Sequence, residues 1–279
     1  MMKTLVLALA ALQISEDPTA RQTQETIAWR ADRLKDLQAE RGWLAVSALP
    51  WLKEGETSIG TAEGNVIRLG DGPPVWGKFV RTRDKVTAVA IAGPAIEMTT
   101  AAEPFQIGRS WIQLIKRSDL VGLRIWDPMN ARKQAFRGLE WYDVKSEYRV
   151  RGRFIKTTPM TSLKIANVIG QTNDFKSPGR VQFTFRGATY ELTPVYETSA
   201  QDELFYIFKD ATAAKTTYGA GRFLHSARPD QDGTVIVDFN RAYSPPCAFT
   251  DFATCPLPPA VNRLDLALEA GEKDPHKGH

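Results

Sequence analysis

Between Thr216 and Glu272 the chain concentrates residue types that bind and transform small molecules. Asp238, Asn240 and Arg241 follow one another closely, Arg222 and His225 lie on the run before them, and Tyr243 opens a loop built on Pro245-Pro246, Pro256 and Pro258-Pro259. A carboxylate beside an amide and guanidinium groups can hold a small polar or anionic ligand, and Asn262 and Arg263, beyond the last proline pair, extend that set. The same carboxylate can serve as a general base while Arg222 or Arg241 steadies developing negative charge. Glu269 is a second candidate base, and with Glu272 it could join Asp238 as paired carboxylates. A third chemistry is nucleophilic: Cys247, its approach fixed by Pro246, with His225 as the lone histidine of the body. Each reading has a structural rival. The charges can close a sheet edge as ion pairs or lie solvated, and the thiols can be small core residues.

These groups act together only if strands deliver them to one place. Alternation along Val235–Asn240 puts Val235, Val237 and Phe239 on one face and Ile236, Asp238 and Asn240 on the other. The run Arg222–His225 precedes it across Arg228-Pro229-Asp230-Gln231-Asp232-Gly233, so the two are expected to pair. If His225 faces Thr234, it shares the face of Asp238; a slip of one residue brings Arg222 there instead. Either register gives Asp238 a basic neighbour. The prolines stiffen the following loop, which suits a binding wall or a lid over the sheet end. In an exported chain, Cys247 and Cys255 would form a disulfide worth roughly 2.5 kcal/mol by loop entropy. Two cysteines without nearby histidines fall short of a zinc set, so no metal or other cofactor is expected. The run from Asn262 to Glu269 alternates Leu264, Leu266 and Leu268 with charged residues and reads as a closing strand.

The rest of the chain supplies a β scaffold. Ile27, Ala31 and Leu34 recur at helical spacing in residues 19–42, predicting an amphipathic helix that ends at Gly42. Short β-branched and aromatic runs follow, at Val66–Leu69, Val86–Ile91, Trp111–Lys116 and Gly122–Trp126, then Tyr148–Ile155, Leu163–Ile169, Arg180–Phe185, Thr189–Val195 and Leu204–Phe208. Arg186-Gly187 marks a tight hairpin. The fold expected is mainly β, one or two β-sandwiches or open barrels after an N-terminal helix. A first unit would span 43–127 and a second 138–272, joined by the polar stretch Asp127–Gly138, with 273–279 a flexible tail. Ile59-Gly60 and Asn65–Leu69 resemble the opening strands of a forkhead-associated sandwich. Thr61 stands where that family has its phosphate-binding arginine, so only the shape carries over.

Lys3 followed by the apolar run Leu5–Leu12 reads as an export signal over residues 1–18, placing the protein in the periplasm or outside the cell; the alternative is a slightly apolar cytosolic terminus. That run is too short to cross a bilayer. With 43% hydrophobic and 24% charged residues the chain is not disordered, and a net charge of +4, spread among acidic residues, does not point to nucleic acid. Arg149, Arg151 and Arg153 share a strand face, but no aromatic platform interleaves with them, which favours a solvated sheet face. A Gly-x-Ser-x-Gly elbow and a Walker loop are both absent.

The wording of the chain adds one resemblance. Thr217–Leu224, Asp238–Phe249, Cys255–Pro259, Asn262-Arg263-Leu264 and Glu269–Glu272 resemble the prokaryotic domain-of-unknown-function family 1684. Trp29-Arg30, Gly42-Trp43-Leu44, Trp51–Gly55 and Phe208–Thr212 match it as well, so the resemblance spans nearly the whole chain after the leader. It implies a boundary but no activity, cofactor or catalytic residue. Function therefore rests on the residues: a ligand-binding protein, with a hydrolase and a structural or partner-binding module as the alternatives.

Overall fold

The computed structural model describes residues 17–197 and 200–277; the apolar run read as an export signal lies outside them. Strands hold 42% of the residues and helices 16%, so sheets must place the site. No described helix is long and apolar enough to cross a membrane.

The chain enters through α1 (Pro18–Gln38), capped by Asp17, which accepts from the Thr19 N–H at 3.0 Å, with Pro18 in the first turn where its missing donor costs nothing. Beyond it the backbone folds back so tightly that a Cβ on Gly42 would sit 2.4 Å from the Asp36 and Leu37 carbonyl oxygens. The buried face of α1 is not the expected one. Ile27 is 56% exposed and Ala31 is exposed as well, whereas Thr26 and Leu37 are buried and Trp29, Arg30 and Arg33 are half-buried against the body.

Nine strands form the first β unit: β1 (Val46–Ala48), β2 (Gly55–Gly60), β3 (Ile67–Arg68), β4 (Gly77–Thr82), β5 (Lys85–Ala90), β6 (Ile96–Met98), β7 (Phe105–Ile107), β8 (Ser110–Arg117) and β9 (Leu120–Trp126). They make two sheets, ordered β3-β2-β4-β5-β6 and β1-β9-β8-β7. Ile59, Phe79 and Val86 of the first pack against Ile112, Leu123 and Ile125 of the second, the core of a sandwich. The strands β2, β4, β6 and β7 escape a reading by pattern because they are short or begin at glycine and carry few β-branched residues. The polar joint holds α2 (Ala131–Ala135), a short helix capped by Asn130.

The second unit contains β10 (Arg149–Ala166), β11 (Thr172–Phe185), β12 (Ala188–Leu192), β13 (Glu203–Phe208), β14 (Arg222–Ala227) and β15 (Thr234–Asp238). The two runs expected at 148–155 and 163–169 are one 18-residue strand, which bulges between Lys156 and Thr161 and pairs with β11 on both sides, Lys156 opposite Gly179 and Thr161 opposite Ser177. Arg186 and Gly187 take φ of 48° and 81°, the positive values a two-residue hairpin requires, and join β11 to β12. One sheet runs β12-β11-β10-β15, and β13-β14 forms a ribbon joined to the end of β12 through the Val195–Phe205 bridge. The result is a half-barrel around Val181, Phe183, Leu204, Tyr206, Val237 and Phe239. Two expectations fail here. Residues 262–269 keep the alternating burial of Leu264 and Leu268 but form no strand; they run beside β13 with a single bridge, Lys209–Arg263. The start of the expected tail is fixed, as Lys273 N–H donates to Glu140 and Asp274 N–H to Thr216, at 2.9 and 3.0 Å.

Candidate functional site

Although β14 and β15 are consecutive, they do not pair. β14 bonds to β13 and β15 to β10, so the expected hairpin is absent and the half-barrel stays open between them. The edge of β14 is met instead by Tyr243, whose backbone exchanges two hydrogen bonds with Phe223 at 2.8 and 2.9 Å. A cleft of about 950 Å3 lies at this opening, bordered on one side by α1 and on the other by β14, β15 and the start of the proline loop.

Four of the residues expected at a site do line it: His225, Asp238, Arg241 and Tyr243. His225 stacks on Phe205 with ring centroids 4.7 Å apart. Its Nε2 lies 3.0 Å from the Tyr243 hydroxyl, and its Nδ1 lies 3.3 Å from Glu203 Oε2. Burial pushes the Tyr243 phenol well up, so it stays neutral and keeps its proton available to donate. Asp238, at the end of β15, accepts from the Asn240 backbone and side-chain amides at 3.1 and 2.9 Å and pairs with Arg149 at 3.4 Å. Its expected basic neighbour exists, but it comes from β10 rather than from β14. Arg30 adds a second positive charge near Asp238; burial lowers its pKa, and the Asp238 and Asp143 charges oppose that shift.

The other expected site residues are elsewhere. Arg222 is 1% exposed and faces the interior, bound to Asp210 at 3.0 Å and to the Leu268 and Ala270 carbonyls. Alternation on β14 places it opposite in role to His225. Asn240 is fully buried and clamps the Lys145 backbone through both its amide groups. Asn262 does the same for Thr193, at 2.7 and 2.9 Å, and also donates to the Ile207 carbonyl. Arg263 and Glu269 are exposed, so Glu269 is not a sheltered base beside Asp238. Glu272 is fully buried, but its partner is Arg33 of α1 at 2.7 Å. Cys247 lines a separate, smaller cavity, and Cys247 and Cys255 are free thiols rather than a disulfide.

Residues not expected from sequence complete the cleft: Trp29, Asp32, Arg33 and Asp36 on α1, with Glu197 and Glu203 on the far rim. Asp32 and Asp36 stand four apart and so share a helix face, the one local signal that could have marked them. The ion pairs divide the charges that line the cleft. Arg33 pairs with Glu272 and Arg149 with Asp238; Arg41 reaches only the exposed Glu103, at 3.3 Å, and Arg241 lies 4.0 Å from Glu25, which Arg21 already holds at 3.0 Å. Asp32, Asp36, Glu197 and Glu203 make no ion pair with a lysine or arginine among the described residues; the two glutamates flank only His225.

The family model described as "Protein of unknown function (DUF1684)" matches residues 134–273, which hold the whole half-barrel, its open side and the proline loop. The chain belongs to this family. No curated protein matches the DUF1684 chain. It is similar to a solution NMR structure of an uncharacterized protein from Haloarcula marismortui, at 29% identity over 55% of this chain and 85% of that one, with a TM-score of 0.44. The family match includes every expected site residue. It leaves α1, which forms the other wall of the cleft, outside.

Proposed function

We propose that the cleft between α1 and the open side of the half-barrel binds a small polar ligand, and that this ligand carries an amine or another cationic group. The observation that carries the reading is that Asp32, Asp36, Glu197 and Glu203 make no ion pair with a lysine or arginine among the described residues, in a cleft where Arg33 and Arg149 are tied to Glu272 and Asp238. Trp29 supplies aromatic wall, and a cation over such a ring gains electrostatically as well as by contact; Arg33 already lies 4.3 Å over Tyr243 and 5.8 Å from Phe249. The anionic half of the expectation loses its basis once Arg222 is in the core. The hydrolase alternative loses both Arg222 and a sheltered Glu269.

Calorimetric titration and thermal-shift measurements with tetramethylammonium, spermidine, acetate and inorganic phosphate at matched ionic strength test this. The ammonium probes should bind and stabilise, and the anions should not. Asp32→Asn with Asp36→Asn should weaken ammonium binding about tenfold, or ~1.4 kcal/mol. Stabilisation by the anions, or equal affinity in the double variant, would overturn the reading. Absence of binding by every probe would assign the cleft to a partner-binding or purely structural role.

A further inference from the structure

Away from the cleft, the proline loop brings the chain's two cysteines together. Cys255 is 5% exposed, packed among Ile165, Val195 and Phe205. Its backbone is tied to the end of β10: its carbonyl accepts from the Val168 N–H at 3.0 Å, and Leu257 N–H donates to Ala166 at 2.8 Å. Cys247 sits in a short 3-10 turn, Pro246–Ala248, whose position is held by the Tyr218 hydroxyl donating to the Cys247 carbonyl at 3.1 Å. The Cys247 N–H donates to Cys255 Sγ at 3.2 Å, so the two residues touch without any unfolding of the loop. Their environments differ. Cys247 is half-buried and lines a second cavity of about 370 Å3, whose rim carries Arg132, Arg137 and His276, whereas Cys255 does not reach that cavity.

We propose that Cys247 and Cys255 are a reversible dithiol–disulfide site, in which Cys247 meets external disulfides through the second cavity and Cys255 resolves the adduct. In the first step the Cys247 thiolate attacks one sulfur of a low-molecular-weight disulfide, forms a mixed disulfide and expels one thiolate. In the second, Cys255 gives up its proton and attacks the Cys247 sulfur, closing the Cys247–Cys255 bond and expelling the second thiolate. The two cysteines are oxidised by two electrons and the external disulfide is reduced to two thiols. The order follows from access and from acidity. The neighbouring Cys255 thiol outweighs burial and lowers the Cys247 pKa, while the proximity of Cys247 together with burial pushes Cys255 up. The thiol that can be reached is thus the one that ionises, the arrangement an attacking and a resolving cysteine require.

This site is independent of what the cleft binds. Treating the full chain with bis(2-hydroxyethyl) disulfide, followed by intact mass and peptide mapping, tests it. The wild type should lose two hydrogens and yield a 247–255 crosslink, reversed by dithiothreitol. Cys255→Ser should stop at a mixed disulfide on Cys247, and folded Cys247→Ser should stay unmodified. Should either variant fail to fold, brief maleimide labelling of the native wild type replaces it, with Cys247 expected to react about tenfold faster than Cys255. A stable mixed disulfide in the wild type, or equal labelling of the two thiols, overturns the proposal.

Discussion

A guanidinium withdrawn from water needs its donors met, and in Arg222 this fold meets those of both terminal nitrogens while Nε stays buried without a partner among the described residues. Its Nη2 reaches both Asp210, at 3.0 Å, and the Leu268 carbonyl, at 3.0 Å, while Nη1 donates to the Ala270 carbonyl; the Phe208 ring lies 5.4 Å from its centre. Asp210 in turn accepts from the Thr212 hydroxyl at 2.7 Å and from the Leu268 N–H at 2.9 Å. The pair therefore pins the non-strand segment 264–270 to the half-barrel, a job that a closing strand would otherwise do. Arg222→Met should leave Asp210 charged, enclosed and half-satisfied, and cost about 3–5 kcal/mol in urea unfolding. Adding Asp210→Asn should recover a large part of that loss, since no buried charge is then left alone. A loss below ~1 kcal/mol for the single variant would show that the pair is not what holds the segment. The residue types of this network stand plainly in the sequence, and so does the need for an acidic partner. What could not be seen is which strand neighbours which: with β13 rather than β15 beside β14, the interior partner of Arg222 becomes Asp210 and the open-side residue becomes His225.

At the scale of elements, α1 was legible in place but not in orientation. Its start agrees with the reading, but it stops at Gln38, four residues short of the expected Gly42, where the chain has already turned back. Periodicity assigns Ile27 and Ala31 to the core because it weighs apolarity alone. The surface that α1 meets is itself charged and aromatic. Glu272 is fully buried and binds Arg33 at 2.7 Å, Arg33 also lies 4.3 Å over the Tyr243 ring, and Arg30 lies 4.6 Å over Trp141. Those partners stand more than a hundred positions away in the chain, out of reach of any pattern within the helix. Two substitutions separate the readings. Ile27→Glu should change stability by no more than about 0.5 kcal/mol, as for other surface positions. Arg33→Ala strands the Glu272 carboxylate and should cost about 3 kcal/mol, and thermal unfolding of both variants measures the difference. The opposite ranking would mean that α1 docks through its apolar stripe after all.

Across the whole molecule, the proline loop does more than wall a cleft, because it reaches both β units. Thr250 approaches the Val46 carbonyl at 3.4 Å, Phe252 packs against the Ala45, Val46 and Trp126 cluster, and Arg117 of β8 donates to the Thr254 hydroxyl at 2.9 Å. On its other side, Ala248 and Phe249 share a core with Leu37 of α1 and Leu44. The sandwich and the half-barrel each have their own apolar core, and by size alone each could melt separately. The shared clusters argue against that. Neither unit can lose its packing without exposing Trp126, Phe249 and Phe252, and the stiffness of a loop held by five prolines passes the strain of one unit to the other. Calorimetry on the full chain should therefore show one thermal transition, with its van't Hoff enthalpy close to the calorimetric value. Phe252→Gly, which removes the ring between the units and loosens the loop, should split that transition while leaving both strand contents intact by circular dichroism. Two resolved transitions in the wild type would make the loop a cover for the half-barrel alone, and the two β units independent bodies on one chain.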